Sequence, residues 1–167
     1  MQKEQSTLPG SKENWIGTSK SAKEGEQWDK AKEMEFTYTN LDKFIRLSLG
    51  ETAHFSNAMY DGDYTLSLDE AQKRKYEFVI TQLNIQKGTK VLDLGCGWGG
   101  WLKYLKDNVG ANGVGVNLSS GQVNACKKNG LDVHLKDARF VKPEDFGMFD
   151  AVTAFGSFEH VASVNDY

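Results

Sequence analysis

The ten residues VLDLGCGWGG, at positions 91–100, constrain this chain more than any other stretch of it. An apolar run of strand type ends in glycines, and a helix-forming segment follows. Glycine at such a junction lets the backbone turn tightly and come close to a ligand, because no Cβ intervenes. The ligand then meets the amide-rich start of the next helix. Gly95, Gly97 and Gly100 also spell G-x-G-x-x-G, the dinucleotide fingerprint. That fingerprint calls for an acidic residue roughly 20 positions on, at the end of the second strand, to hold ribose hydroxyls. Asn117 stands there instead, in GVGVNLSS, with no carboxylate beside it. Asp93, by contrast, precedes the first glycine by two residues. A carboxylate in that place opposes a pyrophosphate and suits a ligand carrying an ammonium and a sulfonium, so a methionine-derived cofactor fits better.

The rest of the chain is organised around this junction. Strands are expected over 91–94, 113–118, 131–135 and 149–155. Helices are expected over 101–109, with Leu102, Leu105 and Val109 inward, and over 119–129, closed by Gly130. Strands alternating with helices imply a parallel sheet built from βαβ units, a Rossmann-like α/β fold. Upstream, residues 34–84 read as a helical cap. An amphipathic helix is expected over 36–49, with Leu41, Phe44, Ile45 and Leu47 recurring and Gly50 as its stop. After a turn-rich loop over 54–63, Ser67 and Glu70 form an S-x-x-E capping box that opens a second helix. Its expected buried stripe is Leu68, Ala71, the stem of Lys75, Val79 and Leu83, flanked by Tyr76 and Ile80. Residues 1–33, rich in Lys, Glu, Ser and Gly, read as a flexible tail.

Composition removes several classes of function. A net charge of -3, with Lys and Glu intermixed, argues against a nucleic-acid binder. Cys96 and Cys126 make no disulfide framework and no metal-binding cluster, which suits a reducing cytoplasm and implies no metal. No apolar run approaches the roughly 20 residues that span a bilayer, and the first residues lack a signal peptide's apolar core. His54 and His134 read as packing or surface residues.

The D-x-G-x-G spacing resembles the first motif of class I S-adenosylmethionine-dependent methyltransferases. Asp137, after the third strand, stands where that class places a polar residue on the adenine amino group, though a strand-end cap explains it equally well. Phe149-Asp150 resembles the common opening of the fourth strand. Over residues 38–167 the chain resembles the cyclopropane-fatty-acid and mycolic-acid cyclopropane synthases. FTYTNLDKFIRLSLGETAHFS is similar to that family's N-terminal helix and Tyr-Ser loop, and TLSLDEAQKRK to its helix before the sheet. LDLGCGWGG, NLSSGQ and FGSFEHV follow in the family's order.

The resemblance implies a role for each matching position. Phe55 and Ser56 would lie over the cofactor's methionine end, and Gly95, Gly97, Trp98 and Gly99 along its backbone. Asn117, Leu118 and Gln122 would face the ribose, with Gln122 replacing the absent acidic residue. Ser119 and Gln122 also spell an S-x-x-Q capping box, so cap and ligand both stand. Asp137 and Ala138 would border the adenine. Glu159 and His160 would belong to the reaction site, where the family holds a bicarbonate as base, although a carboxylate also suits an ordinary helix start.

Three positions depart from the family. Asn57 replaces a cysteine beside the bicarbonate, Phe55 replaces a tyrosine, and Ala138 replaces a tryptophan beside the adenine. The expected activity is therefore the wider one: methyl transfer to a carbon of an unsaturated lipid chain or similar hydrophobic acceptor, with peripheral membrane contact following from that substrate. The alternatives are a small-molecule N-, O- or C-methyltransferase, or a cofactor-binding fragment or assembly subunit without turnover. The sequence stops soon after the fourth expected strand, so residues 85–167 read as half of such a domain, with an open sheet edge able to self-associate.

Overall fold

The computed structural model describes residues 54–157 and 159, together with Phe36, Thr37, Tyr38, Asn40, Phe44, Leu47 and Leu49. The expected tail over 1–33, most of the first helix and His160 lie outside the described residues. Phe36, Thr37, Tyr38, Asn40, Phe44 and Leu47 have helical backbone. Phe44 and Leu47 of the expected apolar stripe are exposed.

Helix α1 (Leu68–Gln82) begins as its capping box dictates. The Ser67 hydroxyl accepts from the Glu70 amide, while the Glu70 carboxylate accepts from the Ser67 amide at 2.8 Å. The buried face differs from the expected stripe. Ala71, Gln72 and Tyr76 are buried, Val79 and Ile80 are half-buried against the core, and Leu68 and Leu83 are exposed. The expected stripe did not include the polar Gln72. Its amide instead satisfies loop carbonyls inside the protein, which rotates the buried face toward Gln72 and Tyr76.

Four strands follow: β1 (Lys90–Leu94), β2 (Asn112–Asn117), β3 (Asp132–Leu135) and β4 (Ala151–Thr153). They form one sheet in the order β3-β2-β1-β4, and every pairing is parallel. Between β1 and β2 runs α2 (Gly100–Tyr104), which widens into a π-helical turn (Leu105–Val109). The Gly110 and Ala111 amides both donate to the Leu105 carbonyl and close it. Helix α3 (Ser120–Lys128) joins β2 to β3.

Two short elements went unanticipated between β3 and β4: a 3-10 turn (Ala138–Phe140) and α4 (Pro143–Phe146). Both are too short for hydrophobic periodicity to register. Strand β4 is also shorter than the expected 149–155. Asp150 sits just outside it, yet its amide donates to the Lys90 carbonyl and its carboxylate accepts from the Lys90 amide at 2.8 Å, so it pins β4 to the start of β1.

The core lies between the sheet and its helices, built on Tyr76, Val91, Trp101, Leu102, Leu105, Val123 and Val133. Among the described residues no helix is long and apolar enough to cross a membrane. This architecture brings the carboxyl ends of β1, β2 and β4 together with the loop that precedes α1. In open parallel sheets ligands bind at that end.

Candidate functional site

The loop after β1 folds back over β2, with the Gly95 and Cys96 amides donating to the Val116 carbonyl at 3.0 and 3.1 Å. Its glycines do different work. A Cβ on Gly99 would lie 2.5 Å from Leu131 Cδ1 and 3.0 Å from Cys126 Sγ, so Gly99 lets the loop press onto the core. Gly97 has a positive φ of 56°, and nothing stands within 4 Å of where its Cβ would be. Backbone at Gly97 therefore faces open space that a ligand can enter closely. Gly95 is roofed by Ser157, whose Cβ would be 2.6 Å from an added methyl and whose hydroxyl donates to the Leu94 carbonyl at 2.7 Å. The Trp98 side chain is buried, so only its backbone lies along the loop's open side.

Asn117 ends β2 with its side chain committed inward. Its Nδ2 donates to the Gly97 carbonyl at 3.1 Å and to Gln122 Oε1 at 2.7 Å, and its Oδ1 accepts from the Ser119 amide at 3.1 Å. Ser119 caps α3 by accepting from the Gln122 amide at 3.3 Å. The expected capping box is therefore half formed. The Gln122 side chain turns to Asn117 and does not reach back to the Ser119 amide, because the buried Asn117 amide needs an acceptor. Leu118 is half-buried beside them.

Asp93, in the middle of the sheet, is 2% exposed. Its Oδ1 accepts from Thr153 Oγ1 at 2.9 Å, and that hydroxyl accepts in turn from Trp101 Nε1 at 3.1 Å. Burial pushes the Asp93 carboxyl up to about 7, against the pull of the Thr153 bond and of the Lys75 charge. A carboxylate buried in this way is expensive unless a cation arrives to meet it.

The 54–57 loop closes the same end of the sheet. Gln72 Nε2 donates to the His54 and Ser56 carbonyls at 3.2 and 2.8 Å, and Lys75 Nζ donates to Ser56 Oγ and the Asn57 carbonyl at 2.6 and 3.0 Å. His54 contacts the Tyr76 hydroxyl through Nδ1 and stacks on that ring. Burial, aided by Lys75, pulls the His54 imidazole down to about 3 and keeps it neutral, in keeping with a packing role. Phe55 is 59% exposed and meets Tyr38 edge-on. A Cβ on Gly156 would lie 3.2 Å from Ser56 Cβ and 3.6 Å from Glu159 Oε1, so Ser56, Gly156 and Glu159 crowd one corner. Burial raises the Tyr38 hydroxyl, and the Glu159 charge raises it further.

Asp137 and Ala138 lie at the end of β3, tied to the site by the Lys136 amide, which donates to the Asn117 carbonyl at 3.0 Å. Asp137 caps the 3-10 turn through the Arg139 amide at 3.0 Å, and its Oδ2 accepts from the Arg139 guanidinium at 2.6 Å. Burial pushes its carboxyl up, but the Arg139 bonds outweigh that and hold it below its usual range. The cap is thus present; a ligand contact would have to share the carboxylate with Arg139.

Sequence reasoning missed Gln72, Lys75 and Thr153 as parts of this site. For the first two a signal existed: both belong to the AQ-x-x-K of TLSLDEAQKRK, and both sit on the helix face that packs inward. Thr153 carried no comparable signal, since threonine is an ordinary strand residue.

The family model for mycolic acid cyclopropane synthetase matches residues 26–167. Cyclopropane mycolic acid synthase 3 of Mycobacterium tuberculosis is 32% identical over 127 residues, covering 74% of this chain and 44% of the relative. The cyclopropane-fatty-acyl-phospholipid synthase of Escherichia coli is 36% identical over 103 residues, covering 59% of this chain and 26% of the relative. A crystal structure of a mycolic acid cyclopropane synthase complexed with SAH and CTAB superposes with a TM-score of 0.69 at 28% identity, covering 78% of this chain and 47% of that one. The chain spans less than half the length of the curated relatives it matches.

Proposed function

The chain belongs to the mycolic acid cyclopropane synthetase family, and from that premise we propose that it binds S-adenosylmethionine and serves methyl transfer to a carbon of an unsaturated lipid chain. One observation carries the reading: the open backbone at Gly97 together with the buried Asp93, in a site whose second strand ends in Asn117 and not in a carboxylate. That combination disfavours a dinucleotide and suits a cofactor with a cationic amino-acid end.

In this reading the residues divide the cofactor among them. Asp93 meets the ammonium of the methionine end, with Phe55 and Ser56 above it. The backbone of Gly95, Gly97, Trp98 and Gly99 follows the chain toward the ribose, which Asn117, Leu118 and Gln122 face. Asp137 and Ala138 border the adenine, with Arg139 holding Asp137 in place. When bound, the cofactor supplies a methyl group on a sulfonium, open to attack by an electron-rich carbon. The chain's own part is to bind, orient and exclude water, because the transfer asks for proximity more than for acid–base work. The same reading divides the chain into a cap segment, 34–84, and a cofactor-binding half-domain, 85–167.

Glu159 and His160 are the residues this reading assigns to the acceptor's reaction site. Asn57 is exposed and offers its carbonyl to Lys75, so the cysteine neighbour of the family's bicarbonate has no counterpart. The reading therefore needs methyl transfer to carbon and does not require a bicarbonate. A lipid acceptor also implies contact with a membrane surface.

Calorimetric titration of the full chain with S-adenosylhomocysteine, with NADH as control, tests the reading. Binding of the former alone is expected. Binding of NADH, or of neither by a folded chain, would overturn it. For the whole protein, product analysis after incubation with unsaturated phospholipid then tells ring closure from methyl branching.

A further inference from the structure

The stem of Lys75 turns inward from α1 as its place in the apolar stripe implies, but its ammonium follows it into the site. Its ammonium has no carboxylate in ion-pair contact among the described residues. It donates instead to Ser56 Oγ at 2.6 Å and to the Asn57 carbonyl at 3.0 Å, and lies 5.1 Å from the Phe155 ring centroid and 5.7 Å from that of Tyr76. An apolar side chain of equal length would fill the groove without the cost of desolvating a charge. Gln72, three positions earlier on the same face, is sacrificed in a similar way. Its Nε2 holds two loop carbonyls while its Oε1 is buried without a donor. Gln72 is buried and Lys75 half-buried to hold the 54–57 loop, which locates their importance in that loop and in the site beneath it.

We propose that Lys75 is a positioning residue of the cofactor site: it clamps the 54–57 loop over the glycine loop and provides the positive charge that keeps Asp93 able to ionise. The proposal rests on the cofactor reading above and adds to it a residue and a pH dependence.

Among the described residues the charged and titratable groups around Asp93 are few. Lys75 and Tyr76 face it from α1, Cys96 faces it from the glycine loop, and Thr153 bonds it from β4. His54 feels Lys75 in turn. Tyr76 and Cys96 are raised, chiefly by burial for the tyrosine and by its bond to Cys126 for the cysteine, so both stay neutral near pH 7. Lys75 is thus the cation that acts on Asp93. Burial pulls its ammonium down to about 8, against the attraction of Asp93, while Asp93 itself titrates at about 7. The pair is most fully charged on both sides between these two values.

The test measures two things on the full chain: the Asp93 carboxyl titration by carbon NMR, and S-adenosylhomocysteine affinity against pH by calorimetry. Wild-type affinity should rise with pH through about 7, as Asp93 ionises. Lys75→Arg, which keeps its charge, should leave the Asp93 midpoint and the pH at which affinity rises in place. Lys75→Met and Lys75→Gln should raise that midpoint by about one pH unit or more, the usual effect of losing a nearby opposite charge. At pH 7 this takes the carboxyl from about half ionised to about one-tenth, an affinity loss of about fivefold. Gln72→Met, which loosens the loop without changing charge, should weaken binding with the midpoint unmoved. An Asp93 midpoint unchanged in both Lys75→Met and Lys75→Gln would overturn the proposal, as would a midpoint that Lys75→Arg raises as far as Lys75→Met does. A wild-type chain that does not bind the ligand overturns the methyltransferase reading, while the Asp93 titration still decides the part about Lys75.

Discussion

Asp93→Asn should make the unliganded chain more stable and deprive it of its cofactor, and the first effect has a calculable pH dependence. Asp93 is 2% exposed and titrates at about 7 in the fold, against 3.8 for an ordinary aspartate. Between those values the unfolded chain has released the proton and the folded chain retains it. Stability therefore falls as pH rises through that window, by about 1.4 kcal/mol per pH unit, and levels off above it. The whole loss is on the order of 4 kcal/mol. Asparagine has no such titration, keeps the shape, and can still accept from Thr153 through its own Oδ1. His54, neutral in the fold because its imidazole is pulled down to about 3, works with the opposite sign: it costs stability as pH falls below its usual 6.5. That contribution is the same in both proteins and cancels in the difference between them. Urea unfolding of the two from pH 4 to pH 8.5 should show the variant's advantage growing with pH up to about 7 and then holding steady, reaching roughly 4 kcal/mol. Affinity for S-adenosylhomocysteine should drop at least about tenfold at pH 7.5, since a hydrogen bond to a charged group contributes roughly 1.5–3 kcal/mol. An advantage independent of pH, or a variant less stable than wild type at pH 8, would refute the argument that Asp93 is held at a cost.

The loop glycines should separate by readout. Gly99→Ala should destabilise by about 2 to 4 kcal/mol, from overpacking against Leu131 and Cys126 and from its positive φ, as measured by urea unfolding. Gly97→Ala should cost only about 1 to 2 kcal/mol of stability yet abolish measurable S-adenosylhomocysteine binding, because its methyl would occupy open space meant for the ligand. Ser119→Ala should lose about 1 kcal/mol of stability with affinity little changed, as a cap would. Gln122→Ala should lose about tenfold in affinity, roughly 1.4 kcal/mol, because the Asn117 amide loses its acceptor and the ribose face loses its polar group.

The strand-glycine-helix junction, the parallel order and the α1 cap were legible in the sequence because each is a local rule written in neighbouring residues. The capping box needs only Ser67 and Glu70, and the βαβ alternation needs only hydrophobic period. Less legible was anything decided by partners distant in sequence. The buried face of α1 turned toward Gln72 because carbonyls at His54 and Ser56, 18 and 16 positions away, required donors. The capping box at Ser119 formed only half because Asn117 claimed the Gln122 side chain. The elements between β3 and β4 were missed for a different reason, their shortness.

These departures are not scattered through the molecule. Gln72, Asp93, Asn117 and Gln122 are buried polar groups, and Lys75 is a half-buried one, and all of them gather at the carboxyl end of the sheet. A sequence selected only to fold would place apolar residues there and be more stable, as the Asp93→Asn argument quantifies. Where local rules fail together at one end of a parallel sheet, the simplest physical account is that the polar groups await a partner. The charge of that partner follows from the residue buried most expensively. Asp93 calls for a cation, and a site with a cation at one end and Asn117 with Gln122 where a ribose carboxylate is absent describes a methionine-derived nucleoside better than a dinucleotide.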